Sequence, residues 1–91
     1  MGHPKFYKLL SEMKTLYDKK NADYSGDQDP LANLREFGWK GGVVRLSDKY
    51  FRLKNFAKSG KLKVKDESIR DTLLDMANYA LLTIILYEEE K

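Results

Sequence analysis

A chain of 91 residues with a formal charge of +3 makes one domain, 1–91, with a single modest core, and +3 is too small a charge to argue for direct nucleic-acid binding. Cysteine is absent, which excludes a disulfide framework, a thiolate metal site and a thiolate nucleophile, and the lone histidine, His3, sits beside the Met-Gly start where a catalytic dyad or zinc site is not expected. The charged fraction of 34% is high and its signs are sorted: Lys and Arg dominate up to Lys65, acids afterwards.

Pro4 suits the first turn of a helix. Phe6, Leu9, Leu10, Met13, Leu16 and Tyr17 then recur at amphipathic helical spacing, predicting a helix from about residue 4 to about 20. The segment Lys20-Asn-Ala-Asp-Tyr-Ser-Gly-Asp-Gln-Asp29 has no apolar period and reads as a loop. Asp29-Pro30 is a good cap and first-turn pair for a short helix over 31–37, stopped by Gly38. Trp39-Lys-Gly-Gly42 reads as a turn. Val43, Leu46, Tyr50, Leu53 and Ala57 share one face of a second long helix that ends at Ser59-Gly60. Lys61-Leu-Lys-Val-Lys65 alternates like a strand but finds no partner strand, so an extended connector is expected. The last helix opens at Asp66 or Glu67 and continues to about Glu88.

The predicted fold is all-α, three long helices and one short one. The last helix is apolar nearly all round, more than three helices can cover, which predicts a bundle completed by a homodimer or higher oligomer. The N-terminus turns charged at once, with no signal-peptide pattern. The longest apolar run, residues 80–87, is far short of the roughly 20 residues of a membrane span. A soluble, cytoplasmic protein with no membrane partner is expected.

The most informative pattern lies on that last helix. Glu67, Asp71 and Asp75 recur every fourth residue and are followed by Asn78. At about 100° per residue they fall within roughly 80° of one face. Stacked carboxylates repel, so a cation must sit against them. The preceding helix carries Arg45, Asp48, Lys49 and Arg52 within roughly 100° of one another. If the two helices pack antiparallel, these faces meet. Arg45, Lys49 and Arg52 then either pair with the acids in an ion network, or hold phosphates while Asp48, Glu67, Asp71 and Asp75 hold Mg²⁺. Mg²⁺ uses one or two carboxylates together with water and phosphate oxygens, which a partly open stripe can supply. In Lys20-Asn-Ala-Asp-Tyr24, Asn21 and Asp23 offer hydrogen-bonding groups and Tyr24 a stacking face for a base or sugar. They serve equally well as turn residues closing the first helix.

Four stretches in order, Lys20-Asn-Ala-Asp-Tyr24, Asp29-Pro-Leu-Ala-Asn-Leu-Arg-Glu-Phe-Gly38, Arg45-Leu-Ser-Asp-Lys-Tyr-Phe-Arg-Leu53 and Asp66-Glu-Ser-Ile-Arg-Asp-Thr-Leu-Leu-Asp-Met-Ala-Asn-Tyr79, resemble the nucleotide-modification-associated domain of phages and prophages. The resemblance covers roughly residues 6 to 87. It implies a role in phage nucleotide metabolism or DNA base modification, and a host-cytoplasm location for a phage-encoded protein. A more distant similarity is to the all-α MazG-type nucleoside triphosphate pyrophosphohydrolases, which gather acids from two helices around Mg²⁺ and oligomerise. Here the acids of the last helix are spaced by four rather than three, and the preceding helix offers one acid, Asp48, amid cations.

The expectation is therefore a nucleotide-binding protein. If it is an enzyme, the suited chemistry is Mg²⁺-assisted attack of water on an α–β phosphoanhydride, with Asp71 and Asp75 as the catalytic carboxylates. Two alternatives stand beside it: a non-catalytic nucleotide-sequestering module or accessory subunit, and a plain helical interaction domain with an internal ion network.

Overall fold

Helical periodicity in the sequence becomes helix throughout the part of the chain that the structure describes. In this computed structural model the described residues are 2–24, 31–59 and 66–90. They form α1 (Pro4–Tyr24), a single turn α2 (Ala32–Arg35), α3 (Gly38–Ser59) and α4 (Asp66–Glu89), and no strand occurs among them. The Asp29-Pro30 cap and the 61–65 connector lie outside the described residues. The chain divides into two compact units, Met1–Ala32 and Asn33–Lys91.

In the first unit, α1 starts where Pro4 allows it. The His3 carbonyl accepts the Phe6 N–H at 2.9 Å, and His3 Nδ1 accepts the Lys5 N–H at 3.0 Å, so one residue satisfies two of the helix's open donors. Lys14 and Asp18 pair at 3.0 Å on the exposed side. The helix does not stop near residue 20 but runs through Tyr24, which corrects the loop expected over 20–24. Asn and Asp each cost a helix only about 0.7 kcal/mol or less, and no Gly or Pro occurs between Pro4 and Gly26. Weak helix formers at the end of a long, growing helix do not terminate it.

In the second unit α3 and α4 pack along their lengths. Trp39 meets Tyr87, Gly42 meets Thr83 and Lys49 meets Asp75, so residue numbers fall on one helix as they rise on the other and the pair is antiparallel. Thr72 and Leu86 are buried on α4. The residues expected to form a turn, Trp39 to Gly42, are instead the first turn of α3. Gly42 is buried, and a Cβ there would come within 2.9 Å of Thr83 Cβ. Its glycine serves close helix approach rather than chain reversal.

Gly38 makes the entry to α3. Its φ of +68° lies in the left-handed region where a side chain is strained, and a Cβ would also fall 2.8 Å from both Glu90 carboxylate oxygens. Glu90 Oε2 accepts the Trp39 N–H at 2.8 Å. An anion at a helix N-terminus satisfies an open donor and complements the helix dipole. Arg35 pairs with the neighbouring Glu89, and Trp39 meets Tyr87 edge-on with ring centroids 5.6 Å apart. The end of α4 is thereby fixed to the start of α3.

Candidate functional site

Because α3 begins at Gly38, residues Gly41, Val44, Arg45 and Asp48 lie on one face of it, away from the face that carries Gly42 and Lys49 to α4. The Phe37 N–H donates to the Leu34 carbonyl at 3.2 Å, closing the turn that leads into α3. Gly41 lets Phe37 lie close against the helix: a Cβ on Gly41 would be 2.8 Å from Phe37 Cβ. Leu34, Phe37, Lys40, Gly41, Val44, Arg45 and Asp48 together line a groove of about 500 Å³. Phe37 is 69% exposed. One wall is therefore aromatic and aliphatic, while the rim carries two cations and one carboxylate.

The predicted four-residue charged face of α3 is divided by this arrangement. Arg45 and Asp48 line the groove. Lys49 turns to α4, where its Nζ stands 3.4 Å from Asp75 Oδ2, both side chains about three-quarters covered. Arg52 is exposed, one helical turn beyond Asp48 on the same side of α3. Of the acid stripe, Asp75 is held by Lys49 and Asp71 is exposed, while the side chain of Glu67 lies outside the described part of the structure. So do the side chains of Asn21, Asp23 and Tyr24, whose backbone forms the last turns of α1.

The donor set for Mg²⁺ divides in the same way. Asp48 and Asp75 approach from different faces of α3, and no group of three or more His, Cys, Asp or Glu able to hold a metal occurs among the described residues. A multi-acid cage is not assembled there. Asp48 does fit the commoner Mg²⁺ mode, in which one carboxylate works together with the phosphate oxygens of a ligand.

Sequence reading missed Phe37 and Lys40. Their signal is the spacing Phe37, Lys40-Gly41, Val44-Arg45, Asp48, which is helical throughout. It becomes legible once Gly41 and Gly42 are read as helix residues. No described helix is long and apolar enough to cross a membrane.

No curated protein and no solved structure gives a significant match to the chain. Residues 39–86, which run from the second residue of α3 to the buried Leu86 of α4, match the family model described as nucleotide modification associated domain 1, and the chain belongs to that family.

Proposed function

We propose that the chain binds a nucleotide in the groove on the outer face of α3. The observation that carries this is the exposed Phe37 ring on an apolar wall beside Lys40 and Arg45. A base stacked on an aromatic ring gains about 1–3 kcal/mol, and Lys or Arg beside it neutralises phosphates. The volume of about 500 Å³ falls in the range of small-ligand sites, roughly 300–1,000 Å³. Arg52, one turn further along, extends the cationic side for a longer phosphate chain. Asp48 repels a bare phosphate and attracts one that carries Mg²⁺. The family's association with nucleotide modification supports a nucleotide as the ligand.

The finer proposal is hydrolysis of an α–β phosphoanhydride by Mg²⁺-assisted attack of water, in the manner of the MazG-type enzymes; Asp71 and Asp75, expected as its carboxylates, do not line the groove, so for a nucleotide bound there that role falls to Asp48. Release of pyrophosphate from a nucleoside triphosphate, lost in Asp48→Asn and kept in Asp71→Asn, tests it.

A thermal-shift screen of the four deoxynucleoside triphosphates and their ribose counterparts, with and without Mg²⁺, tests binding, because stabilisation grows as RT ln(1 + [L]/Kd). Arg45→Ala should weaken every nucleotide alike, and binding should fall as salt rises. Asp48→Asn should strengthen binding without Mg²⁺ and remove the gain that Mg²⁺ gives. Equal binding by Asp48→Asn and the parent in both conditions would place the ligand elsewhere.

The ion-network reading keeps one specific support, the Lys49–Asp75 pair. It assigns those two residues to holding α3 against α4, and leaves the groove to the ligand.

A further inference from the structure

The side of α3 turned away from α4 does not end at the groove. Val44 and Phe51 are seven residues apart, so they stand at nearly the same angle around the helix, about 10 Å apart along it. Phe51 is 54% exposed. Its ring is inclined at 60° to that of Tyr50 with centroids 5.8 Å apart, and the Lys54 ammonium stands 6.0 Å from its centroid. By helical arithmetic Lys40, Arg45, Asp48, Phe51, Arg52 and Lys58 fall within roughly 140° of one another. The formal charge of +3 over the whole chain hides this local sorting. α3 exposes Lys40, Arg45, Arg52, Lys54 and Lys58 against a single acid, Asp48. Among the described residues no ion pair holds any of these five cations.

We infer that the ligand along α3 is an unpaired nucleotide chain, a single-stranded oligonucleotide rather than a lone nucleotide. The inference rests on the groove reading and extends it. A lone nucleotide has one base, and stacking that base on Phe37 leaves Phe51 without a role. Gly41, against which Phe37 lies, and Phe51 are ten residues apart, about 15 Å along the helix. Stacked nucleotides advance about 3.4 Å each along a strand, so the two rings serve different bases of one chain. Between the rings, Arg45 and Arg52 stand one above the other about 10 Å apart and track the phosphates. Lys54 and Lys58 continue the track past Phe51. Cations along a backbone path with aromatic platforms beside it hold single strands with little sequence preference. A duplex fits poorly, because pairing and stacking hide the base faces that Phe37 and Phe51 take up. Asp48, the one acid in the track, is matched by the Mg²⁺ that phosphates carry.

Fluorescence anisotropy of an end-labelled oligodeoxythymidylate of about ten nucleotides, set beside calorimetric titration of deoxythymidine triphosphate, tests it. The oligonucleotide should bind tighter than the triphosphate. Phe51→Ala should weaken the oligonucleotide about 5- to 150-fold, the loss of one base stack, and leave the triphosphate unchanged. Phe37→Ala should weaken both. R52A/K58A, two exchanges at exposed positions, should flatten the slope of log K against log salt by about 1.4, at about 0.7 for each phosphate contact on a single strand. Oligouridylate in the same assay tells which sugar the strand carries. An oligonucleotide bound no tighter than the triphosphate overturns the inference and leaves the groove reading standing. So does one that ignores Phe51→Ala, and so does a hairpin duplex with the same number of phosphates bound equally well. Failure of the parent to bind either ligand removes both.

Discussion

Gly42 sets how closely α3 and α4 approach at Thr83. In an open helix, replacing Gly by Ala gains about 1 kcal/mol. At Gly42 the new Cβ would stand 2.9 Å from Thr83 Cβ, against a side chain whose Oγ1 already donates to the Tyr79 carbonyl at 2.5 Å. Overpacking of this kind typically costs about 1–3 kcal/mol. Gly42→Ala should therefore lower the urea midpoint rather than raise it, and G42A/T83A should recover most of the loss. Lys49 and Asp75 are the second residue-scale test. Exposed pairs contribute about 0–1 kcal/mol, while breaking a buried one costs about 3–5. With 22% and 27% of their side chains exposed, these two fall between, and Asp75→Asn should cost about 1–3 kcal/mol in urea melts. A double-mutant cycle with Lys49→Met isolates their coupling. A neutral or stabilising Asp75→Asn would return Asp75 to the metal-binding role that the sequence allowed it.

At the scale of the elements, the question is why α3 starts where it does. Trp39, Lys40, Gly41 and Gly42 look like a turn because two glycines cost a free helix about 2 kcal/mol. Tertiary contacts override that preference. Glu90 caps the Trp39 N–H, Tyr87 meets the Trp39 ring and Gly42 lets α4 approach. None of these is legible locally, since Glu90 lies 51 residues away from Trp39. Glu90→Gln keeps a hydrogen-bond acceptor but removes the charge at the helix end, and should cost about 0.3–1 kcal/mol, less at high salt. A melting temperature equal to the parent's in low salt would show that the charge is idle there. The all-helical class, the limits of α4 and the C-terminal end of α3 were legible because period and punctuation agree. The two helix ends misread, the last turns of α1 and the first of α3, are places where Asn, Asp and Gly favour a break that the rest of the helix does not obey. The site divided along the same line. Arg45 and Asp48 were legible as charges at helical spacing, whereas Phe37 and Lys40 were hidden behind the supposed turn.

For the molecule as a whole, the stretch that matches the family model, residues 39–86, falls within the α3–α4 pair. It carries the charged side of the groove at Lys40, Arg45 and Asp48, so these groove charges sit on the part of the chain that matches the family. Asn21, Asp23 and Tyr24 lie outside that stretch. If the groove reads the base, Asn21→Ala should leave the ranking among nucleotides unchanged, and a changed ranking in calorimetric titration would give the base contact back to α1. The most direct test is calorimetric titration of the parent and of Phe37→Ala with the nucleotide that stabilises the parent best. Phe37 is exposed, so its loss should spare the fold. Loss of about 1–3 kcal/mol of stacking predicts binding weakened roughly 5- to 150-fold. Unchanged affinity in Phe37→Ala, or no binding of any nucleotide by the parent at millimolar concentration, would contradict a nucleotide site in the groove.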